Sequence, residues 1–146
     1  KIGIPDGILL KPGKQDLEEW GVMRTHAEIG YQMLADDPSD LMQLAAKIAL
    51  QHHEKWDGTG YPNELKGQEI SIEARITMVS DVFDALTSER PYKKAWSVEE
   101  AVKYINDQKG IFFDPDVVES FNETLPEIIR IRNQYIDKFD FDGLTN

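Results

Sequence analysis

The stretch DLMQLAAKIALQHHEKWDGTGYP, residues 40–62, decides how the rest of the chain is read. Leu41, Leu44, Ala45, Ile48 and Ala49 recur at three- and four-residue intervals, the period of an amphipathic helix, and Ser39 just ahead offers a hydroxyl to cap it. The helix is expected to run to Glu54 and to carry two adjacent histidines, His52 and His53, near its end. Successive helical residues point about 100° apart. One ring is therefore expected to face a neighbouring helix and the other a cleft beside it. The loop that follows is a tight turn on any reading, since Gly58 and Gly60 permit positive φ and Pro62 fixes the exit.

Downstream, Ser71 opens a helix whose apolar positions Ile72, Ile76, Val79, Phe83 and Leu86 mark a core face. Pro91 in RPYKKAW breaks that pattern. Ser97 with Glu100 forms a capping box for VEEAVKYINDQK, and Gly110 is a natural stop. Asp114 and Pro115 supply an N-cap and a first-turn proline for the last helix, which Pro126 is expected to kink or divide. Past about residue 137 the polar tail is expected to fray. Upstream, Asp16 and Glu19 cap DLEEWGVMRTHAEIGYQML, read as one helix with Leu17, Trp20, Met23, Ala27, Tyr31 and Leu34 inward. KIGIPDGILLKPG reads as a connecting segment. No hairpin signal or β-rich run is present, so the expected fold class is all-α, one helical bundle over residues 1–146.

With 146 residues, 40% of them apolar and 29% charged, the chain has the balance of a single globular domain. No apolar run reaches the roughly 18–20 residues that span a bilayer, and no secretory layout opens the sequence, so the cytoplasm is the default expectation. There is no cysteine, which removes disulfides and thiolate metal sites. A net charge of −11 repels nucleic acid and anionic lipid at long range. Neither is expected as a partner. A phosphate substrate would need positive charge concentrated locally, on a few basic side chains or on metal.

Three histidines are present: His26, His52 and His53. Imidazoles aimed into one region repel when protonated, and a divalent cation relieves this by binding their neutral forms. Asp81, in MVSDVFDAL, is either solvent-facing or an interior ligand, and Asp84 three residues on leaves the choice open. Nitrogen and carboxylate donors without thiolate suit iron, manganese, nickel or zinc, and suit a binuclear hydrolytic site. Tyr61 would be an aromatic platform at the edge of such a site. Arg90, Lys93 and Lys94 form a basic cluster in an acidic chain, with arginine able to grip phosphate through two bonds.

Taken in order, KIGIPDGILLKPG, MRTHAEIG, IALQHHEKWDGTGYP, ARITMVSDVFDALTSERPYKKAW and GIFFDPDVV resemble the HD-GYP family of bacterial phosphodiesterases, within the HD metal-dependent phosphohydrolases. The likeness covers about four fifths of the chain, and Gly60, Tyr61 and Pro62 stand where the family has its naming tripeptide. The resemblance implies an all-α HD-like bundle, divalent metals, and hydrolysis of cyclic di-GMP to pGpG or onward to GMP. By it, His26, His52, His53 and Asp81 match metal ligands, while Asp84 matches none. Lys1 matches a catalytic, phosphate-holding lysine, Arg90 and Lys93 match phosphate contacts, and Tyr61 is placed near a guanine. In the family an HDIG-like segment precedes KIGIPD. The chain is thus expected to be the C-terminal portion of the domain, without the His-Asp dyad, and inactive by itself. Upstream helices and a sensory or receiver domain are expected in the intact protein. The alternatives are a degenerate module that docks through the GYP loop, for instance onto a GGDEF-domain diguanylate cyclase, and an HD hydrolase of another cyclic nucleotide.

Overall fold

The structure is a computed structural model and describes residues 1, 3–89 and 94–136. Seven α-helices follow one another among these residues: α1 (Asp6–Leu9), α2 (Leu17–Arg24), α3 (His26–Leu34), α4 (Asp40–Gln51), α5 (Ile72–Thr87), α6 (Val98–Asp107) and α7 (Pro115–Ile136). A 3-10 turn at Gly67–Glu69 lies between α4 and α5. No strand is present among the described residues, only an isolated bridge between Lys109 and Phe113. The all-α expectation holds.

The helix starts are where side chains can satisfy free backbone N–H groups. Asp16 accepts from the N–H groups of Glu18 and Glu19 while Glu19 reaches back to Asp16, and Ser97 with Glu100 makes the same reciprocal pair. Ser39 and Ser71 cap α4 and α5. Asp114 accepts from the Asp116 N–H at the start of α7. Gly110, at φ 77°, turns the chain after α6, and its N–H donates to the Phe113 carbonyl at 2.8 Å.

Three expectations need correction. The segment 16–34 is two helices, not one: α2 ends at Arg24, and the Thr25 hydroxyl donates to the Val22 carbonyl where the axis breaks. The apolar phase of a single helix is therefore lost. Met23 and Ala27 are buried, but Leu17 is 92% exposed and Trp20 and Tyr31 are partly exposed too. In α4, Ala46 is the buried alanine and Leu41 faces outward, while Ile72 and Ile76 of α5 are exposed as well. Third, of the kink or division expected at Pro126, division does not occur, and α7 runs as one helix from Pro115 to Ile136. Leu125 and Ile128 pack on the core on either side of it, which holds the helix together although proline supplies no N–H. The segment read as a connector also contains the single turn α1.

The core lies among α5, α6, α7 and the turn before α7, where Val79, Phe83, Ala101, Ile105, Phe113, Val117, Val118 and Phe121 bury one another. Helices α3 and α4 pack closely, with Gly30 opposite Ala49; a Cβ on Gly30 would come within 3.2 Å of the Ala49 methyl. A groove of about 290 Å³ runs between α5 and α7 past Ile72, Ile76 and Phe121. No histidine lines it, so it is not where the chemistry gathers.

Candidate metal centre

Two helix ends bring the histidines together. His26 is the first residue of α3, just past the break at Thr25, and His52 is the C-cap of α4, with His53 one residue beyond. The helix stops at Gln51, short of the expected Glu54. The backbone therefore turns under the pair and both rings reach one point, in place of the expected division between a helix and a cleft. One nitrogen from each of His26, His52 and His53 lies within 4.8 Å of the other two.

The hydrogen bonds behind the rings set which nitrogen faces inward. His26 Nδ1–H donates to the Met23 carbonyl at 2.6 Å, and His52 Nδ1–H donates to the Ala49 carbonyl at 2.9 Å. Each is left with a bare Nε2 lone pair. His26 Nε2 lies 3.4 Å from His52 Nε2 and 3.0 Å from His53 Nε2. Burial, the His52 charge and the His26 and Lys1 charges push the His53 pKa down to about 3. His26 is lowered too, by burial first and then by His52 and Lys1, against the Met23 carbonyl, which favours the charged ring. Imidazole nitrogens converging on one point are the donor set that a divalent cation takes in its neutral-ligand form.

The loop 54–66 is fixed beside them by a buried carboxylate. Glu54, 1% exposed, accepts from the Asn63 N–H at 2.7 Å and from the Leu65 N–H at 3.0 Å. Burial raises its pKa, and those N–H donors act the other way. Asp57 accepts from both the N–H and the hydroxyl of Thr59. The N–H groups of Trp56 and Asp57 donate to Phe112 and Ile111 carbonyls, which ties the loop to the turn before α7. A Cβ on Gly60 would sit 2.4 Å from the Lys55 nitrogen and 2.5 Å from Glu54 Cα, so only glycine fits there. The Tyr61–Pro62 peptide is cis. Tyr61 stacks on His53 with ring centroids 4.7 Å apart, and Arg24 Cζ stands 4.9 Å above the tyrosine ring. Burial raises the Tyr61 hydroxyl to about 12; Arg24 lowers it and Asp81 raises it further.

Lys1 is exposed, and its charge reaches His26 and His53. Asp81 is exposed on α5, near enough to Tyr61 to bias its hydroxyl, and it is not part of the tight histidine group. Lys94 is exposed. Arg90 and Lys93 lie outside the described residues. Sequence reading missed Glu54, Trp20 and Arg24. The signal for Glu54 was available: an acid directly before a loop whose backbone N–H groups need acceptors.

Comparison with known proteins bears on the same residues. The HD domain family model matches residues 1–117. The chain belongs to the HD-domain family, to its HD-GYP type. It is 49% identical over 132 residues to 3'3'-cGAMP-specific phosphodiesterase 2 of Vibrio cholerae, covering 90% of this chain and 25% of that protein. It is 47% identical over 135 residues to the cyclic di-GMP phosphodiesterase response regulator RpfG of Xanthomonas campestris, covering 92% and 36%. With a cyclic di-GMP phosphodiesterase of Thermotoga maritima it shares 46% over 138 residues, 94% of this chain and 38% of that one. A crystal structure of a cyclic GMP-AMP-specific phosphodiesterase of V. cholerae superposes with a TM-score of 0.62 at 25% identity, over 77% of this chain and 25% of that one. This HD-GYP chain thus spans about a quarter to two fifths of the relatives it matches. The HD fold implies divalent-metal use, and the three imidazoles fit that chemistry. No described helix is long and apolar enough to cross a membrane.

Proposed function

We propose that this chain is the metal-binding segment of a phosphodiesterase that hydrolyses cyclic dinucleotides, cyclic di-GMP foremost, to pGpG or GMP. The observation that carries the reading is the convergence of three Nε2 atoms, two of them freed by Nδ1–H bonds to backbone carbonyls. Names of the relatives support the substrate class, since they include cyclic di-GMP and 3'3'-cGAMP phosphodiesterases.

In this reading His26, His52 and His53 would hold a first-row divalent ion of iron, manganese, nickel or zinc, with Asp81 of α5 as the carboxylate that the family resemblance adds to them. An ion held there would make a water acidic enough to ionise near neutral pH and would offset charge at the phosphoryl oxygens. Lys1 adds a positive charge beside the histidines, and Arg90 and Lys93 hold phosphate oxygens. Tyr61, pinned by Gly60 and Glu54, fixes the His53 ring from behind and keeps water from that side of the site.

The test is hydrolysis of cyclic di-GMP by the full-length protein after metal is stripped and restored. His53→Gln is expected to lower turnover by at least about a hundredfold together with bound metal, because even partners behind a ligand are worth ten- to a hundredfold. Undiminished turnover overturns the reading. Metal analysis of Asp81→Ala checks that carboxylate separately: unchanged occupancy removes it from the ligand set.

A further inference from the structure

Arg24 and Trp20 lie beside the histidines, and nothing in the hydrolytic reading uses them. Arg24 is the last residue of α2, and its guanidinium carbon stands 4.9 Å from the Tyr61 ring centre and 5.8 Å from that of Trp20. Trp20 meets Tyr61 edge-on with centroids 6.4 Å apart. Tyr61 in turn stacks on His53. A continuous row of flat groups therefore leads outward from the metal ligand His53 to Tyr61, then to Arg24 and Trp20.

Two features mark the outer end of this row. Arg24 is exposed, and among the described residues no carboxylate lies within 4.0 Å of it; the ion pairs found there use Lys11, Arg75, Lys103, Lys109 and Arg130. In a chain with 27 acidic and 16 basic residues, an arginine resting on two rings rather than on an acid keeps its N–H edges free. Trp20, 41% exposed, offers an indole surface beside it. The Tyr61 ring already carries His53 and Arg24, so the free stacking surface is Trp20.

A ligand that uses both features is flat, to lie on the indole, and carries two acceptors on one edge, to take the guanidinium fork. Guanine does so through O6 and N7, whereas adenine sets an amino donor beside N7 and would face donor with donor. A phosphate would satisfy the fork but leave the exposed indole without a partner. We infer that Trp20 and Arg24 form a guanine-reading subsite next to the histidine centre, the indole stacking on the base and Arg24 donating to O6 and N7. The inference rests on the dinucleotide reading above and makes Arg24 a specificity-determining residue.

The experiment is a calorimetric titration of the full-length protein, with manganese present, using cyclic di-GMP and cyclic di-AMP, which share their sugar-phosphate ring and differ in their bases. The unaltered chain is expected to prefer cyclic di-GMP. Arg24→Met and Arg24→Lys are each expected to weaken cyclic di-GMP by about tenfold or more and to leave cyclic di-AMP unchanged, because lysine keeps the charge but not the fork. Trp20→Ala is expected to weaken both, since stacking tolerates any base. Equal loss for both ligands in Arg24→Met would assign the arginine to phosphate and overturn the inference, as would no loss at all. Binding of neither ligand by the unaltered chain overturns the dinucleotide reading itself, and the subsite with it.

Discussion

Helices α5, α6 and α7 bury Phe83, Ile105, Phe113, Val118 and Phe121 against one another, whereas α1 to α4 leave Leu17 and Leu41 mostly in water and Leu9, Trp20 and Tyr31 partly so. The candidate metal centre belongs to the second group. Two of its three rings, His26 and His52, are held by hydrogen bonds to carbonyls at helix ends, and its loop by one buried carboxylate, Glu54. Apolar packing is non-directional and tolerates small rearrangement. A polar scaffold fixes angles and lone pairs, but each partner lost leaves another group unsatisfied. One half therefore supplies general stability, and the other spends directional bonds on orientation. The two meet where the Phe112 and Ile111 carbonyls accept from the loop, and where Arg75 of α5 pairs with the buried Asp114.

The largest test of this division is Phe113→Ala. Phe113 is 1% exposed in the middle of the apolar cluster. Loss of a buried phenylalanine costs about 3–5 kcal/mol. Urea unfolding followed by circular dichroism is expected to show a loss of that size, with no change in how the remaining folded fraction binds metal. If Phe113→Ala instead costs under about 1 kcal/mol, the apolar half is not the source of stability.

Glu54→Ala is the matching change in the polar half, with a smaller effect. It leaves the Asn63 and Leu65 N–H groups without their acceptor, a cost of about 1–3 kcal/mol for a buried donor. The loss is expected to be local. Amide exchange should quicken across 56–66 while α6 and α7 keep their protection, and Glu54→Gln should recover part of the loss because its amide oxygen still accepts. Uniform loss of protection over the whole chain would show that the two halves unfold as one and erase the distinction.

The apolar half was legible in its local caps and in Val79 and Phe83 of the periodic pattern, although the same pattern put the exposed Ile72 and Ile76 on the core face. Ser71, the Ser97–Glu100 pair and Asp114–Pro115 each announce a helix start by chemistry within four residues. The polar half was legible in kind but not in place. The histidine types were visible, yet their meeting depends on two helix ends that carry neither proline nor glycine, at Thr25 and at Gln51. Reading 16–34 as one helix turned Trp20 inward and hid its pairing with Arg24. Family resemblance identified the chemistry that periodicity left open, and Asp81 shows the remaining gap: the motif points to a ligand, while the side chain lies in solvent apart from the three rings.

The gentlest way to separate the halves is pH, applied to the metal-free chain. Folded His53 has its pKa lowered to about 3 by burial and neighbouring charge, and His26 is lowered too. An unfolded histidine takes its proton near 6.5. Between about 6.5 and 3 the unfolded chain therefore binds more protons than the folded one, so stability falls as pH drops through that window and is level above it. Glu54 acts with the opposite sign: its folded pKa is raised by burial, so the folded state takes up a proton first as pH falls towards 4.5, which offsets part of the histidine effect. The expected net result is a modest fall in melting temperature from pH 7 to pH 5, with amide exchange accelerating around His26, His52 and the loop before it does in α6 and α7. Bound metal competes with the same protons at the same nitrogens, so saturating manganese should move the onset of the fall to lower pH. A melting temperature flat from pH 7 to pH 5 without metal would mean that the rings accept protons while folded, and that the lone pairs are not held together by the bonds behind them.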